Sequence, residues 1–328
     1  FLDHTNDETG EPVTGDDRSV EDYQLIVQQN TDTQVLPSFN IAWDATDDLV
    51  IRGAVAKVMS RPDYADLGAQ QRISYISDEW AADRADFNEQ PGFSGSGGNK
   101  NLKSFISVQA DLSIEYYYAE GSAIGLALFH KKVDNFVVPV VINAQQNFAG
   151  KDGIVEAGNI NITPYSTVGN GTNAVSKGAE VFLQHAFDSG FGFYANYTYN
   201  KTNKAEVTVD GEAFGQSPLI GSAKYQYNTS VYFEGDNFNV RASYNKRGET
   251  VLGLNSGLNV YQDPYDQVDV NASINLYEGL SFTAAIINLT KSESVTRLGN
   301  DSDARLLNSS YSGRRYYAGF NYSFWTAP

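Results

Sequence analysis

The stretch QVDVNASINL, Gln267 to Leu276, decides the fold. Val268, Val270, Ala272, Ile274 and Leu276 alternate with Gln267, Asp269, Asn271, Ser273 and Asn275. A period of two puts every apolar side chain on one face of an extended strand and every polar one on the other. The same alternation sets Ile106, Val108, Ala110, Leu112, Ile114 and Tyr116 against Ser107, Gln109, Asp111, Ser113 and Glu115. It recurs in Phe191 to Tyr199, Ala223 to Phe233 and Phe238 to Tyr244.

Working outward, strands are expected near 34–44, 49–59, 102–118, 122–134, 175–187, 191–204, 218–234, 237–249, 264–276, 280–291 and 311–325. At 49–59 and 122–134 the faces stay ambiguous, because Arg52, Lys57 and His130 break either phase. The connections alternate between short and long. Short ones, at 45–48, 119–121, 188–190, 235–236 and 277–279, carry the Gly and Asp chemistry of tight hairpins. Long ones, at 60–101, 135–174, 205–217, 250–263 and 292–310, are expected to project from one rim. Among them Gly92 to Lys100 (GFSGSGGNK) is expected to be flexible loop, since neither a closing Lys-Ser/Thr nor a strand-to-helix context makes it a phosphate loop.

Composition agrees. The chain of 328 residues holds 21 Tyr, 18 Phe and 29 Gly but one Met and no Cys, a balance suited to strands and turns. No apolar run reaches the ~18 residues of a transmembrane helix, which leaves a membrane barrel open, because barrel strands bury only alternate residues in lipid. Strands longer than the ~9–11 residues that cross a bilayer, with aromatic residues at their ends (Trp43, Tyr116 to Tyr118, Phe187, Phe191, Phe233), favour such a barrel over a soluble sandwich. Bacterial single-chain barrels have even strand numbers, so eleven strands are expected to be part of a larger barrel. Net charge is −17, with nine acidic residues and one basic before Thr33, which argues against a nucleic-acid partner. Residues 1–33 are expected to form an acidic extracellular loop segment and 34–328 the C-terminal half of the barrel.

Several stretches resemble the C-terminal barrel of TonB-dependent receptors: Val35 to Leu67, Asn99 to Val137, Lys177 to Tyr199 and Ala284 to Ser292, the last with an Asn-Leu-Thr strand end. The resemblance implies an all-β, 22-stranded transmembrane antiparallel barrel in the outer membrane, of which these are the last eleven strands. It also implies a plug and TonB-contacting segment absent from this sequence. The two long loops resemble the subgroup associated with carbohydrate uptake. The sequence departs from the family where Trp325 is followed by Thr-Ala-Pro rather than ending on an aromatic residue.

The three histidines, His4, His130 and His185, form no catalytic signature, and no cofactor or metal site is expected. Ligand-binding candidates are loop aromatics, whose flat faces suit sugars or other polar solutes: Tyr64, Trp80, Phe87, Phe93, Phe148 and Tyr165. Asp111, Glu115, Gln226, Arg241 and Asp269 are expected to face the lumen or a plug. The expected partners are membrane lipid, TonB and a small solute, with carbohydrate preferred because an acidic exterior disfavours ferric chelates. Competing readings are a passive porin and a soluble β-rich adhesin, whose apolar faces would pack against a second layer.

Overall fold

A computed structural model describes residues 31–68, 71–76, 92–148, 158–299 and 304–324. In chain order the elements are β1 (Ser38–Asp44), β2 (Leu49–Ser60), a single helical turn α1 (Tyr64–Leu67), β3 (Gln71–Ile76), β4 (Gly92–Gly97), β5 (Phe105–Ala119) and β6 (Ser122–Asp134). There follow β7 (Phe136–Phe148), β8 (Gly158–Thr172), β9 (Ala174–Ala186), β10 (Phe191–Thr202), β11 (Ala205–Val209), β12 (Glu212–Ser217), β13 (Tyr225–Glu234) and β14 (Phe238–Arg247). The last are β15 (Thr250–Asn255), β16 (Leu258–Gln262), β17 (Tyr265–Tyr277), β18 (Leu280–Ile287), β19 (Ser294–Leu298), β20 (Arg305–Ser310) and β21 (Arg315–Tyr322).

All eleven expected strands form, and they lie in one sheet in the order β1-β2-β5-β6-β9-β10-β13-β14-β17-β18-β21, each antiparallel to its neighbours. Several boundaries differ from expectation by a few residues, as where β1 begins at Ser38 rather than 34 and β5 at Phe105 rather than 102, and three of the differences have a visible backbone cause. Residues 218–224 precede β13 as a turn around Gly221, whose φ of 74° is open to glycine. At Asn288, φ 57°, β18 stops, and β21 begins only after Gly313, φ 67°.

The two faces are inverted relative to a water-soluble protein. Val108 and Leu112 are 54% and 47% exposed, whereas Ser107 on the opposite face of β5 is 3% exposed. Ile124, Leu126, Leu128, Val181, Tyr197 and Val231 share the exposed side, and no second layer covers them among the described residues. A soluble sandwich would bury these rows; in lipid their exposure is the favourable arrangement. Register resolves the two ambiguous strands. Arg52 sits opposite Ser113 on the polar face; Lys57, opposite Val108, and His130, opposite Ala110, lie on the apolar side near the ends that lead into long connections.

The long connections are not irregular. Hairpins β3/β4, β7/β8, β11/β12, β15/β16 and β19/β20 occupy them and join into a second sheet, ordered β12-β11-β8-β7-β15-β16-β19-β20 with β4 also pairing β8. Gly92 to Gly97, expected to be flexible loop, is strand β4, and a Cβ on Gly95 would lie 2.8 Å from the Arg72 carbonyl oxygen. The glycines there serve close packing. The conventional hydrophobic core belongs to this upper layer: Val133, Phe136, Val138, Val140, Ala174, Ala205, Val207 and Leu254 form one buried cluster.

Candidate functional site

The face of the large sheet opposite its apolar side is a continuous polar surface. One hydrogen-bonded row reads Arg52, Ser113, Ala127, Glu180, Thr198, Gln226, Arg247 and Tyr265 across eight adjacent strands. Below it, Arg52 Nε lies 3.4 Å from Glu115 Oε1, and the Tyr117 hydroxyl donates to Glu115 at 2.7 Å. Asp111 lies on the same face as Glu115, opposite Ala54 and Phe129.

Arg241, nearer the short turns, has its guanidinium 5.0 Å from the centroid of the Tyr232 ring and 3.4 Å from Glu234. The ring of Tyr232 in turn covers Gly192, where a Cβ would fall 2.3 Å from it. Asp269 accepts from Gln267 Nε2 at 2.6 Å and from the Asn288 backbone N–H at 2.9 Å. Asn288 is 1% exposed and donates its side-chain amide to the carbonyls of Ser292 and Gly313. This is the physical content of the Asn-Leu-Thr strand end: a left-handed residue whose side chain binds the strand exit to the next entry.

Where the polar face meets the hairpins, Gln226, Asn228, Asn245, Lys246, Arg247, Gln262, Tyr265 and Ser294 line a concavity of about 430 Å³. Arg247 donates to the side-chain oxygen of Gln262, whose amide donates to Ser294 Oγ at 2.9 Å. Arg247 is the cation that this lining turns inward, since the adjacent Lys246 projects from the other face of β14. The hairpins above are tied down by Arg297, which pairs with both Glu249 and Asp263 and has its guanidinium 5.7 Å from the Tyr261 ring centroid.

A second polar concavity, about 280 Å³, lies among the upper hairpins between Gln71, Asn99, Asn101, Gln145, Tyr165 and Asp210. Asn101 Nδ2 donates to Asp210 at 2.9 Å and Asn99 Nδ2 to the Val168 carbonyl at 3.1 Å. Burial holds the Tyr165 hydroxyl above the ordinary tyrosine range; the Asp210 charge pushes the same way, and a hydrogen bond from Gln71 opposes it.

The loop candidates fall into different surroundings. Tyr64 is fully exposed on α1, Phe93 packs its ring 4.7 Å from Tyr75, and Tyr165 is buried against Gly95 while lining the upper concavity. Phe148 ends β7, and Trp80 and Phe87 lie outside the described residues. Of the lumen candidates only Gln226 lines the concavity beneath the hairpins. Arg247, Gln262 and Ser294 were not singled out, although Arg247 follows Arg241 at an even spacing that puts both on one face. Among the described residues no cluster of three or more His, Asp or Glu side chains could hold a metal.

An open antiparallel sheet that is apolar outside, polar inside and crowned on one rim by long hairpins defines an outer-membrane β-barrel protein. Residues 1–289 match the family described as TonB dependent receptor-like, beta-barrel, and the chain belongs to that family, in the bacterial outer membrane. The iron-regulated outer membrane virulence protein of Vibrio cholerae serotype O1 is 24% identical over 233 residues, 69% of this chain and 32% of that protein. Among solved structures, the ferric enterobactin receptor of Pseudomonas aeruginosa superposes with a TM-score of 0.58 at 19% identity, covering 88% of this chain and 40% of the receptor. A siderophore receptor of Acinetobacter baumannii gives 0.55 at 17% identity, covering 88% and 41%. The chain therefore spans about a third to two fifths of the length of these relatives. The family is one of receptors and transporters rather than enzymes.

Proposed function

We propose that the chain supplies wall, lumen lining and extracellular hairpins to an energy-coupled uptake receptor whose solute is an oxygen-rich ferric chelate of the siderophore class. The observation that carries the reading is the concavity beneath the hairpins, where Arg247 stands among Gln226, Asn228, Asn245 and Gln262. Amides and a guanidinium bind anionic or carbonyl-rich oxygen ligands by charge-assisted hydrogen bonds. Local charge outweighs the −17 of the whole chain here, because screening confines surface charges to about 8 Å at physiological salt. The names of the relatives point the same way. Partnership with TonB, through a plug segment, follows the family, and family membership favours a receptor over a passive porin. The acidic segment 1–33 lies largely outside the described residues.

The test is equilibrium binding of catecholate and hydroxamate ferric chelates and of an oligosaccharide panel to the full-length receptor. Saturable binding of a chelate is expected, weakened roughly 10-fold or more by Arg247→Ala, the scale of one hydrogen bond to a charged group. Binding of oligosaccharides alone would refute the chelate reading and support the second one, a neutral-sugar receptor. The fully exposed ring of Tyr64 and the acidic composition are what favour that alternative.

A further inference from the structure

The upper concavity, about 280 Å³, is built from parts of the chain that meet only in the folded hairpin layer. β7 and β8 supply Ile142, Ala144, Gln145, Tyr165 and Thr167, with Ile142 opposite Tyr165 in register. The segment before β5 supplies Asn99 and Asn101, β11 and the turn after it supply Val209 and Asp210, and β3 supplies Gln71. Its depth is closed and its mouth open: Asn99 and Tyr165 are 7% and 5% exposed, whereas Gln71, Asn101, Gln145 and Asp210 are exposed. Gly68 and Gly98 border it without side chains, and a Cβ on Gly98 would fall 2.6 Å from the carbonyl oxygens of Asp66 and Gly68. The framework is already hydrogen-bonded. The Asn101 backbone N–H donates to Asn99 Oδ1 at 2.8 Å, Asn101 Nδ2 holds Asp210 Oδ1, and Gln145 Nε2 donates to Asn161 Oδ1 at 2.8 Å. Those bonds leave over the second Asp210 oxygen, Gln145 Oε1 and the Thr167 hydroxyl, none of which has a hydrogen-bond partner among the described residues.

Three properties define what fits. Lys100 and Asp210 both line the concavity, so its formal charge is balanced and gives no net attraction for an ion of either sign. One side is apolar, made by Ile142, Ala144 and Val209, while the other carries acceptors and hydroxyls. The volume lies just under the ~300–1,000 Å³ of pockets for drug-sized ligands, which is room for one small ring. A pyranose has this character, with C–H groups on its faces and hydroxyls around its edge, each able to donate and to accept. We propose that the upper concavity is a second ligand site, separate from the Arg247 concavity, that holds one neutral hexose unit. Asp210 and Gln145 accept from its hydroxyls, and Ile142, Ala144 and Val209 pack against its C–H face. The bond to the carboxylate is the strongest of these, because its acceptor is charged. This site goes beyond the chelate reading and does not depend on it.

The experiment uses the full-length receptor in neutral detergent, with saturation-transfer NMR and calorimetry reading the methyl glycosides of glucose, galactose, mannose and N-acetylglucosamine. At least one is expected to saturate with a Kd on the order of 1 mM, the scale of a single small ring. Asp210→Asn keeps an acceptor for Asn101 and suits the left-handed turn position, φ 52°, but removes the charge. It is expected to weaken that glycoside about tenfold. Ala144→Phe fills the apolar side and is expected to abolish binding; if that variant does not fold, Asp210→Asn carries the test. Arg247→Ala is expected to leave glycoside binding unchanged, and Asp210→Asn to leave ferric-chelate binding unchanged. Three results would overturn the site: no saturable binding of any of the four glycosides, tighter binding of glucose 6-phosphate than of methyl glucoside, or glycoside binding that Arg247→Ala removes and Asp210→Asn does not. Because the two concavities are read by different variants and different probes, this reading and the chelate reading can each fail alone.

Discussion

Phe136 and Gly171 face each other across β7 and β8, and the pair reports on how the upper layer is built. Phe136 is 3% exposed within the core cluster, and a Cβ on Gly171 would lie 2.1–2.6 Å from three of its ring carbons. Ordinary carbon contacts begin near 3.5 Å, so Gly171→Ala forces the ring back by roughly 1.4 Å into a filled core. Overpacking of this kind costs about 1–3 kcal/mol, offset by the ~0.5–1 kcal/mol that alanine gains over glycine in a strand. The net expectation is a loss of ~1–2 kcal/mol. Phe136→Ala removes the ring and leaves a cavity, at about 3–5 kcal/mol. In that background Gly171→Ala meets no ring and becomes neutral or stabilising, so the double-mutant cycle should show a coupling of ~1.5–3 kcal/mol. Hydrogen exchange on the full-length protein in micelles reads it as opening free energies of the amides in β7, β8 and β11, with β5 and β6 as internal reference. Coupling below ~0.5 kcal/mol, or loss of protection spread evenly into the large sheet, would refute the packing argument.

Other expectations concern single positions. Leu128→Arg places a charge on the outer face about six residues from the nearest turn and should cost ~2–4 kcal/mol in reversible unfolding from lipid. Ala127→Arg, the adjacent residue, points inward opposite Glu180 and should cost under ~1 kcal/mol; equal costs would show the faces misassigned. Asn288→Ala keeps the backbone N–H to Asp269 but removes the side-chain contacts to the Ser292 and Gly313 backbone, and should lower stability by ~1–3 kcal/mol, read by the denaturation midpoint. Tyr165 ionises later in the folded protein than in the unfolded chain. Above about pH 10 the unfolded state releases that proton first, so stability falls as pH rises, and a Tyr165→Phe variant should lose that part of the alkaline slope.

The large sheet was legible because lipid on one side and a polar interior on the other impose strict alternation, as in Gln267 to Leu276. The hairpins were not. Phe136 to Ile142 (FVVPVVI) is apolar without alternation and interrupted by Pro139, which ordinarily argues against an interior strand. Pro139 is accommodated because β15 approaches it through Gly253 at a register shift, with a Cβ there only 2.8 Å from the Pro139 carbonyl oxygen. Gly-rich segments such as Gly92 to Gly97 carried the signature of loops when their glycines serve close strand packing. The inner concavity escaped notice for another reason: Gln226, Arg247, Gln262 and Ser294 come from four separate elements, and only sheet register brings them together.

Two kinds of stabilisation operate in the two layers, and function depends on the difference. Below the rim, apolar side chains gain from lipid rather than from one another, so the continuous ladder of backbone hydrogen bonds across the eleven strands fixes the geometry. Above it the hairpins stand in water, where five two-stranded ribbons would each be marginal alone. Burying Val138, Val140, Val207 and Leu254 in one cluster joins those neighbours into a single layer. The Arg297 contacts to Glu249 and Asp263 then lock β19 onto the feet of β15 and β16. Gln262 and Ser294 are thereby held over Arg247 rather than carried on free loops, and the concavity beneath them exists before any solute arrives. A preformed site of this kind spends less ordering entropy on binding than one carried on free loops.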